Sequence, residues 1–345
     1  MKLNSLLKIS QLRKSFRILH EKIRQKKFEW FLTLKRLDKL QRSILPRKHN
    51  FTISNICTSN CVFCAYQYNR DRTAVMTNEL FEKICRQIAA LDKNSWISLT
   101  PTVGEPLTDS ELFKKIETAK NLGIKRVEIY SNGSLLKKNV EKILSSRLDE
   151  LYISFPDFNE NEYKLIFRTN NYKISLAGIH ELMREHRKRD SKLHIHINIR
   201  GRRNPVEVLK EEDFLRCIKP FLSDKVTYDF TSKFDNWGGL IKQDQLPSGM
   251  ILRQPADKSG LPCKQLFELM YLPSGDIKLC GCRFLGTMFD DLVVGNIYKD
   301  NLENIWYGKK TFDLRNKFFS GEYPVVCKDC SGYKKLPYNI LLISR

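Results

Sequence analysis

Short β-rich runs alternate with helical stretches between residues 51 and 231. The six predicted strands are Phe51–Ile56, Trp96–Thr100, Arg126–Ser131, Glu150–Phe155, Leu193–Arg200 and Lys225–Thr231. The predicted helices between them lie near residues 77–92, 108–122, 134–146, 159–189 with a break, and 206–219. Alternation of this kind gives parallel strands joined by right-handed crossovers, and six units are fewer than a closed eight-stranded barrel contains. We therefore predict an α/β fold, a partial and open (β/α)6 TIM-like barrel over residues 51–240, with its functional site at the C-terminal ends of the strands.

The first 50 residues form a basic arm. They hold fifteen Lys and Arg residues against three Asp and Glu, so the arm carries +12 of the chain's net charge of +21. Apolar residues recur at helical spacing between the basic ones until Pro46. They are Leu12, Phe16, Leu19, Ile23, Phe28, Phe31, Leu32, Leu37, Leu40 and Ile44. The pattern predicts one or two basic amphipathic helices, which could cover the open side of the barrel, lie on an anionic membrane or touch nucleic acid. Nothing in it specifies nucleic-acid recognition.

The apolar runs of the chain are short. The longest have only a few residues, well below the ~20 that span a bilayer. Lys8 interrupts the leucines that could begin an export signal. The expectation is a cytoplasmic protein, either free or held at the membrane periphery by the arm.

Ten cysteines in a chain of this size without an export signal are expected to be reduced thiols that hold a metal or take part in catalysis. Cys85 and Cys217 stand alone at helical spacing with apolar residues and are predicted to be buried. Cys57, Cys61 and Cys64 directly follow the first predicted strand. Three thiolates can hold three irons of a cubane cluster and leave the fourth iron open. A closed zinc site needs a fourth ligand, and no nearby His or Cys supplies one in the sequence.

The spacing Cys57-x3-Cys61-x2-Cys64, with Phe63 before the last cysteine, resembles the signature of the radical S-adenosylmethionine (SAM) superfamily over roughly residues 51–235. The resemblance implies a [4Fe-4S] cluster whose open iron is chelated by the amino and carboxylate groups of SAM. It also implies that one electron from the reduced cluster cleaves the sulfonium, and that the resulting adenosyl radical takes a hydrogen from the substrate.

Two later strand ends also resemble SAM contacts of that family. Val103-Gly104-Glu105-Pro106 is similar to the Gly-Gly-Glu-Pro motif that receives the SAM ammonium, with valine in place of the first glycine. Ser131-Asn132-Gly133 resembles the family's Thr/Ser-Asn-Gly turn, and an ordinary strand-to-helix turn is the alternative. The resemblance thus implies SAM contacts at Phe63, Gly104, Glu105 and Asn132.

Ser154, Asp157 and Arg168 look like the serine, the acidic loop and the arginine with which the family holds the ribose and the methionyl carboxylate. Pro156 is an extra residue that shifts their spacing by one. Arg200 could clamp that carboxylate instead, because a guanidinium fork fits it. A surface ion pair is the alternative for either arginine.

A second cysteine group lies in a predicted module over residues 255–335, followed by a tail at 336–345. Cys263, Cys280, Cys327 and Cys330 could close all positions of a second cubane, and Gly275 would turn a hairpin between Leu269–Leu272 and Ile277–Cys282. The spacing resembles the auxiliary-cluster modules called SPASM and twitch. So do two further segments, Val294-Gly295-Asn296-Ile297 and Leu302-Glu303-Asn304-Ile305-Trp306.

One auxiliary [4Fe-4S] cluster fits best, because no cysteine follows Cys330. Cys280 is favoured over Cys282, which lies on the same strand face. A zinc ribbon is the alternative for this module.

The resemblance implies a radical SAM enzyme that cleaves SAM reductively and oxidises its substrate, with an electron passed to the auxiliary cluster. The positive charge of the chain suits a small anionic substrate, such as a sugar linked to a nucleotide or a lipid. A reducing donor such as flavodoxin or ferredoxin would be a partner. The alternatives are a radical SAM maturase that modifies a peptide, and a non-catalytic iron–sulfur or zinc adaptor at an anionic membrane. No residue stands out as a catalytic acid or base. His194 and His196 share one strand face; core packing is their expected role, and an approach to the substrate cavity is the alternative.

Overall fold

The structure, a computed structural model, describes residues 2–46, 48–255, 257–258, 260–282 and 290–340. The side chains of residues 2–14, 16, 34 and 35 lie outside that description. The strands are β1 Lys48–Phe51, β2 Trp96–Ser98, β3 Arg126–Ser131, β4 Glu150–Phe155, β5 His194–Ile199, β6 Val226–Phe230, β7 Lys233–Phe234, β8 Ile251–Leu252, β9 Leu269–Tyr271, β10 Asp276–Leu279 and β11 Val293–Asn296.

The helices flank these strands in chain order. They are α1 Lys2–Phe31, α2 Leu34–Ser43, α3 Asn78–Leu91, α4 Leu112–Asn121, α5 Leu136–Ser145, α6 Glu160–Phe167, α7 Tyr172–Lys188, α8 Pro205–Val208, α9 Glu212–Cys217, α10 Leu302–Trp306, α11 Lys309–Phe319 and α12 Val325–Lys328. Among the described residues, no helix combines the length and the apolar character that crossing a bilayer requires.

One open sheet organises the molecule. Its nine strands run in the order β11-β10-β9-β1-β2-β3-β4-β5-β6, and β7 and β8 form a separate parallel pair. The strands from β9 through β1 to β6 are mutually parallel, and β10 runs antiparallel to both of its neighbours. This arrangement confirms the predicted α/β fold with an incomplete barrel.

The two faces of the sheet have different chemistry because side chains alternate along each strand. Ile195, Ile197 and Ile199 of β5 are buried on the face covered by helices. Each such side chain stabilises the fold by roughly 1.5–3 kcal/mol when it is removed from water. The other face carries polar residues, including Ser154 of β4 and Asn198 of β5, which are register partners. The inner wall of the open barrel is therefore polar.

The first strand lies earlier in the chain than predicted. It spans Lys48–Phe51 rather than Phe51–Ile56, because its partners on both sides, β2 and β9, pair with residues 48–51. Thr52 extends this contact through its N–H, which donates to Tyr271 O at 3.0 Å. The remaining extended segment is held by an antiparallel bridge between Ser54 and Val75.

The cysteine-rich module adds to the barrel sheet, which the sequence did not reveal. The predicted hairpin exists as β9 and β10, and Gly275 adopts φ +82° at its turn. β9 then pairs in parallel with β1, so the module's strands continue the barrel wall. The boundaries at residues 50, 240, 255 and 335 stay predictions.

The basic arm is helical, as predicted, but its two helices differ. Leu37, Leu40 and Ile44 of the α2 region are buried. Leu19 and Ile23 of α1 are exposed, and so is Phe31. Among the described side chains of α1, Phe28 packs against the core and Gln25 Nε2 donates to Leu336 O at 2.9 Å. The side chains of the predicted stripe residues Leu12 and Phe16 lie outside the described residues.

Candidate metal and cofactor site

The loop after β1 carries Cys57, Cys61 and Cys64 at the C-terminal end of the strand. The C-terminal end of α6 supports this loop, because Asn60 N donates to Phe167 O at 3.2 Å and Val62 N donates to Ile166 O at 2.9 Å. These bonds satisfy backbone carbonyls that a helix end leaves without partners. The predicted donor set is thus built on a fixed loop.

Burial dominates the chemistry of these three thiols. It raises the pKa of Cys57 to about 12, with further increases from Glu105 and Cys64. Burial also raises the pKa of Cys61 well above its usual value, and the neighbouring Cys64 and Cys57 add to the shift. The pKa of Cys64 is raised by burial as well. The three thiols are close enough to influence each other, and thiols of this kind become ligands by releasing their protons to the metal.

Hydrogen-bond donors point at two of the sulfurs. Asn132 Nδ2 donates to Cys57 Sγ at 3.7 Å, and Tyr66 N donates to Cys64 Sγ at 3.4 Å. Asn132 also binds Thr58 Oγ1 at 3.0 Å and accepts from Ser134 N at 3.0 Å. The turn after β3 is therefore tied to the cysteine loop. Thr58 and Ser134 were missed at the sequence level, where their hydroxyls gave no signal of their own.

Gly104 and Glu105 lie against the segment that leads to Cys57. Gly104 has φ +144°, and a Cβ there would lie 2.5 Å from Ser54 O and 2.8 Å from Pro101 Cγ. Glu105 N donates to Ile56 O at 2.8 Å. Only glycine fits this close approach of two backbone segments.

The Glu105 carboxyl joins the loops after β2 and β3. Its Oε2 accepts from Asn132 N at 2.7 Å, and its Oε1 accepts from Leu107 N at 3.2 Å. Burial raises the pKa of Glu105 to about 7, although these hydrogen bonds oppose the shift. The carboxyl that the resemblance assigns to the SAM ammonium therefore also fixes the geometry of two loops. Val103, which replaces the family's first glycine, is buried against Ala65 and Tyr66.

Arg200 follows β5 and faces the cysteine loop. Its guanidinium carbon lies 4.7 Å from the centroid of the Phe63 ring, and Phe63 stacks on Phe234 at 4.8 Å. Burial lowers the pKa of Arg200, and the nearby Cys61 and Cys64 oppose that shift. In the part of the chain that the structure describes, the buried Nε of Arg200 has no hydrogen-bond acceptor. A buried donor without a partner is costly, so this position suits an anionic ligand.

Arg168 lies at the rim of the same site. It is exposed and ends α6 with φ 52°. Its Nη1 donates to Gln67 Oε1 at 3.3 Å, and Gln67 Nε2 in turn donates to Cys64 O at 3.2 Å. Of the two candidate arginines, Arg200 has the better environment for binding a carboxylate, because its donor is buried and unpaired.

Ser154 and Asp157 lie on and just after β4. Ser154 is half-buried on the polar inner wall. Asp157 is fully buried, and its Oδ1 lies 3.3 Å from Arg203 Nη1. Burial raises the pKa of Asp157 to about 6, and the Arg203 charge opposes the shift.

Four cysteines of the second group line one small cavity. They are Cys263, Cys280, Cys327 and Cys330, and Phe318 and Tyr333 also line it. All four are buried, whereas Cys282 is exposed. Cys280 Sγ accepts a hydrogen bond from Cys282 N at 3.4 Å. This arrangement supports Cys280 over Cys282 as a ligand.

Cys85 and Cys217, the two cysteines outside both groups, are buried as predicted. Over the described ranges, no three His, Cys, Asp or Glu side chains are grouped as they would be around a single metal ion.

The inner wall carries titratable residues to which the sequence alone gave no functional role. Tyr130 and Tyr152 stack at 4.3 Å, and His196 Nε2 lies 3.2 Å from Asp229 Oδ1. His194 is exposed and His196 is half-buried on this wall, so the prediction of core packing for both was wrong. The strand alternation was the available signal, because it placed both on the face opposite the buried isoleucines.

The fold is a parallel open barrel with three thiols at its mouth and a second thiol group beside it. These features are typical of iron–sulfur proteins that have a partial barrel. The family model for the Radical SAM superfamily matches residues 51–211. The model for SPASM, an iron–sulfur cluster-binding domain, matches residues 263–331. This chain belongs to the radical SAM superfamily and carries a SPASM domain, as its sequence predicted. The cofactors of this class are SAM, its [4Fe-4S] cluster and auxiliary iron–sulfur clusters.

Similar proteins span several activities. The chain is 30% identical over 151 residues to the GTP 3',8-cyclase of Alkaliphilus metalliredigens, and this match covers 43% of this chain and 46% of that protein. It is 30% identical over 128 residues to the 7,8-dihydro-6-hydroxymethylpterin dimethyltransferase of Methanocaldococcus jannaschii, and this match covers 35% of this chain and 24% of that protein. The chain thus spans less than half the length of these two curated relatives.

Solved structures share the fold at lower identity. Streptococcus suis SuiB bound to the precursor peptide SuiA aligns with a TM-score of 0.59 at 17% identity, covering 90% of this chain and 76% of that one. BtrN in complex with AdoMet and 2-DOIA aligns with a TM-score of 0.55 at 18% identity, covering 83% and 93%. At these identities the likeness concerns the fold alone.

Proposed function

We propose that Cys57, Cys61 and Cys64 hold the [4Fe-4S] cluster that binds SAM, and that Arg200 receives the SAM carboxylate. The observation that carries this proposal is the buried, unpaired Nε of Arg200 beside the three half-buried cysteines. When bound, the cluster supplies the electron that cleaves SAM, and the adenosyl radical so produced takes a hydrogen atom from the substrate.

The protein's own contribution is positioning. Asn132 and Tyr66 donate to the sulfurs of Cys57 and Cys64, and donors to cluster sulfurs tune the reduction potential. The Glu105 carboxyl keeps the loops after β2 and β3 in register with the cysteine loop. Phe63 and Phe234 form an apolar wall that excludes water from Arg200 and strengthens its interaction with an anion.

We further propose an oxidation of a small polar substrate inside the barrel, with an electron passed to one auxiliary cluster held by Cys263, Cys280, Cys327 and Cys330. The inner wall of the barrel supports this substrate class, because the polar side chains of His196, Asn198 and Asp229 lie on it and bind one another. The net charge of +21 suits an anionic molecule. A reduced flavodoxin or ferredoxin would supply electrons. Modification of a peptide is the second candidate, since SuiB, bound to the precursor peptide SuiA, has a similar fold.

One anaerobic experiment tests the central proposal. The purified chain is loaded with iron and sulfide, reduced with dithionite and given SAM, and deoxyadenosine and methionine are measured. Both products are expected from the native chain. A variant in which Cys57, Cys61 and Cys64 are all alanine should form neither product and should retain about four irons if the second site holds one cubane. Absence of cleavage by the fully loaded native chain would contradict the proposal and favour a non-catalytic adaptor.

The exposed side of α1 supports a membrane contact for the arm. Leu19, Ile23 and Trp30 are exposed and lie within about 40° of one another around the helix. Phe28 and Leu32 pack on another side, and Gln25 Nε2 donates to Leu336 O at 2.9 Å. We propose that this exposed apolar stripe and the basic side chains beside it lie on an anionic membrane.

Vesicle sedimentation checks the membrane contact. Binding should require anionic lipid and should weaken with salt, and an I23E variant should bind less. Equal binding to neutral vesicles, or none to either kind, would contradict the contact.

A further inference from the structure

The turn at residues 235–239 follows β7 and has an unusual backbone. Trp237, Gly238 and Gly239 adopt φ values of +53°, +69° and +94°. Such conformations persist where the surrounding structure holds them, above all for a bulky residue such as tryptophan. The neighbours of this turn are the two cysteine groups.

The turn holds the first cysteine group through Trp237. Its indole Nε1 donates to Phe63 O at 2.9 Å, next to Cys64 in the chain. Trp237, Cys57 and Cys64 all pack against the small apolar cluster of Ala65, Tyr66 and Val103. Movement of the cysteine loop would therefore displace the indole.

The turn holds the second cysteine group through Asn236. Its Nδ2 donates to Asp329 O at 2.7 Å, between Cys327 and Cys330 in the chain. Ser331 N donates to Asn236 Oδ1 at 3.1 Å, and Asn236 N donates to Ser331 Oγ at 2.9 Å. Three hydrogen bonds thus fix one residue of the turn to the segment that carries two predicted ligands.

A close backbone approach reinforces this second contact. A Cβ on Gly238 would lie 2.7 Å from Val326 O, one residue before Cys327. The absence of a side chain lets the turn lie directly on α12. Adjacent residues of one turn, Asn236 and Trp237, therefore contact the two cysteine groups.

We propose that this turn couples the two sites, so that SAM binding at the first cysteine group stabilises the segment 327–331 at the second. The proposal rests on the SAM site described above. Coupling needs a connected element whose arrangement both sites bias, and residues 235–239 provide it. The coupling is reciprocal, so a change that opens residues 327–331 should weaken SAM binding by the same factor.

Hydrogen–deuterium exchange of the cluster-loaded full chain, with and without SAM, tests the coupling. In the native chain, amides of residues 327–331 should exchange about fivefold more slowly when SAM is bound. The Asn236→Ala variant should lose this protection at equal SAM occupancy. The Trp237→Phe variant, which lacks the indole N–H but keeps the Asn236 contacts, should lose at least half of it.

Trp306→Phe is the matched control. Trp306 Nε1 also donates to a backbone carbonyl, Ile44 O at 2.8 Å, but contacts neither cysteine group through that bond. This variant should keep the full SAM-dependent protection.

Three outcomes overturn parts of the reasoning. If equilibrium dialysis finds no SAM binding to the loaded native chain, the SAM site and the coupling both fail. If SAM binds but residues 327–331 exchange unchanged, the coupling alone fails. It also fails if Asn236→Ala and Trp237→Phe, with iron content equal to the native chain, keep the protection. If the Asn236→Ala variant loses iron, the coupling is tested by the Trp237→Phe variant alone, because that variant keeps the Asn236 contacts.

Discussion

Alanine at position 104 should disrupt both stability and SAM cleavage. Gly104 has φ +144°, where a side chain costs roughly 1–3 kcal/mol. The new Cβ would lie 2.5 Å from Ser54 O, and relief of such overpacking costs roughly another 1–3 kcal/mol. We therefore expect Gly104→Ala to lower the free energy of unfolding by about 2–6 kcal/mol. It should also lower deoxyadenosine formation at least tenfold, because Glu105 N binds Ile56 O at 2.8 Å beside Cys57.

Gly123→Ala is the matched control for this variant. Gly123 also has a positive φ, +86°, but an added Cβ meets nothing within 4 Å. It should lose only about 1 kcal/mol and should keep SAM cleavage. Urea unfolding followed by tryptophan fluorescence, together with a deoxyadenosine assay, measures both effects. Equal losses of stability in the two variants, or full SAM cleavage by Gly104→Ala, would refute the reasoning.

Three further predictions concern separate parts of the structure. Arg200→Gln should weaken SAM binding about 10- to 100-fold, because a hydrogen bond to a charged group is worth roughly 1.5–3 kcal/mol. Equilibrium dialysis measures this loss, with Arg216→Gln at an exposed position as control, and unchanged affinity would count against the carboxylate role. Burial lowers the pKa of His49 from 6.5 to about 3, so on acidification this residue binds a proton in the unfolded chain before it does so in the folded chain. The free energy of unfolding should therefore fall by about 1 kcal/mol from pH 7 to pH 5.5. Urea unfolding at the two pH values should show a smaller fall for His49→Gln, and an identical fall would contradict the assignment. Cys280→Ala should lose the auxiliary iron while Cys282→Ala keeps it, and an iron assay giving the reverse would exchange their roles.

The fold class followed from patterns that are local in the chain. Short β-rich runs marked the strands and helical stretches marked the connections, so five of the six predicted strands lie within two residues of their observed bounds. The position of Cys57 directly after the first strand then placed the site at the mouth of the barrel. The bounds of β1 were less predictable, because they depend on its pairing with β2 and with β9, which lies over 200 residues later in the chain.

The site was only partly readable from the sequence. Its cysteines formed recognisable spacings, but the sequence left Arg168 and Arg200 as equal candidates for the carboxylate. Their environments distinguish them, since one guanidinium is exposed and the other has a buried, unpaired donor. The preference for Cys280 over Cys282 likewise gains support from which thiol lines the common cavity.

The sequence by itself determined the alternation of strands and helices, the two groups of thiols and the basic arm, because each depends on residues that are near one another in the chain. The tertiary structure alone decided that β9 joins β1 and that Asn236 binds the loop before Cys330. Contacts between residues so far apart depend on how the whole chain packs, and local periodicity and composition carry no record of them.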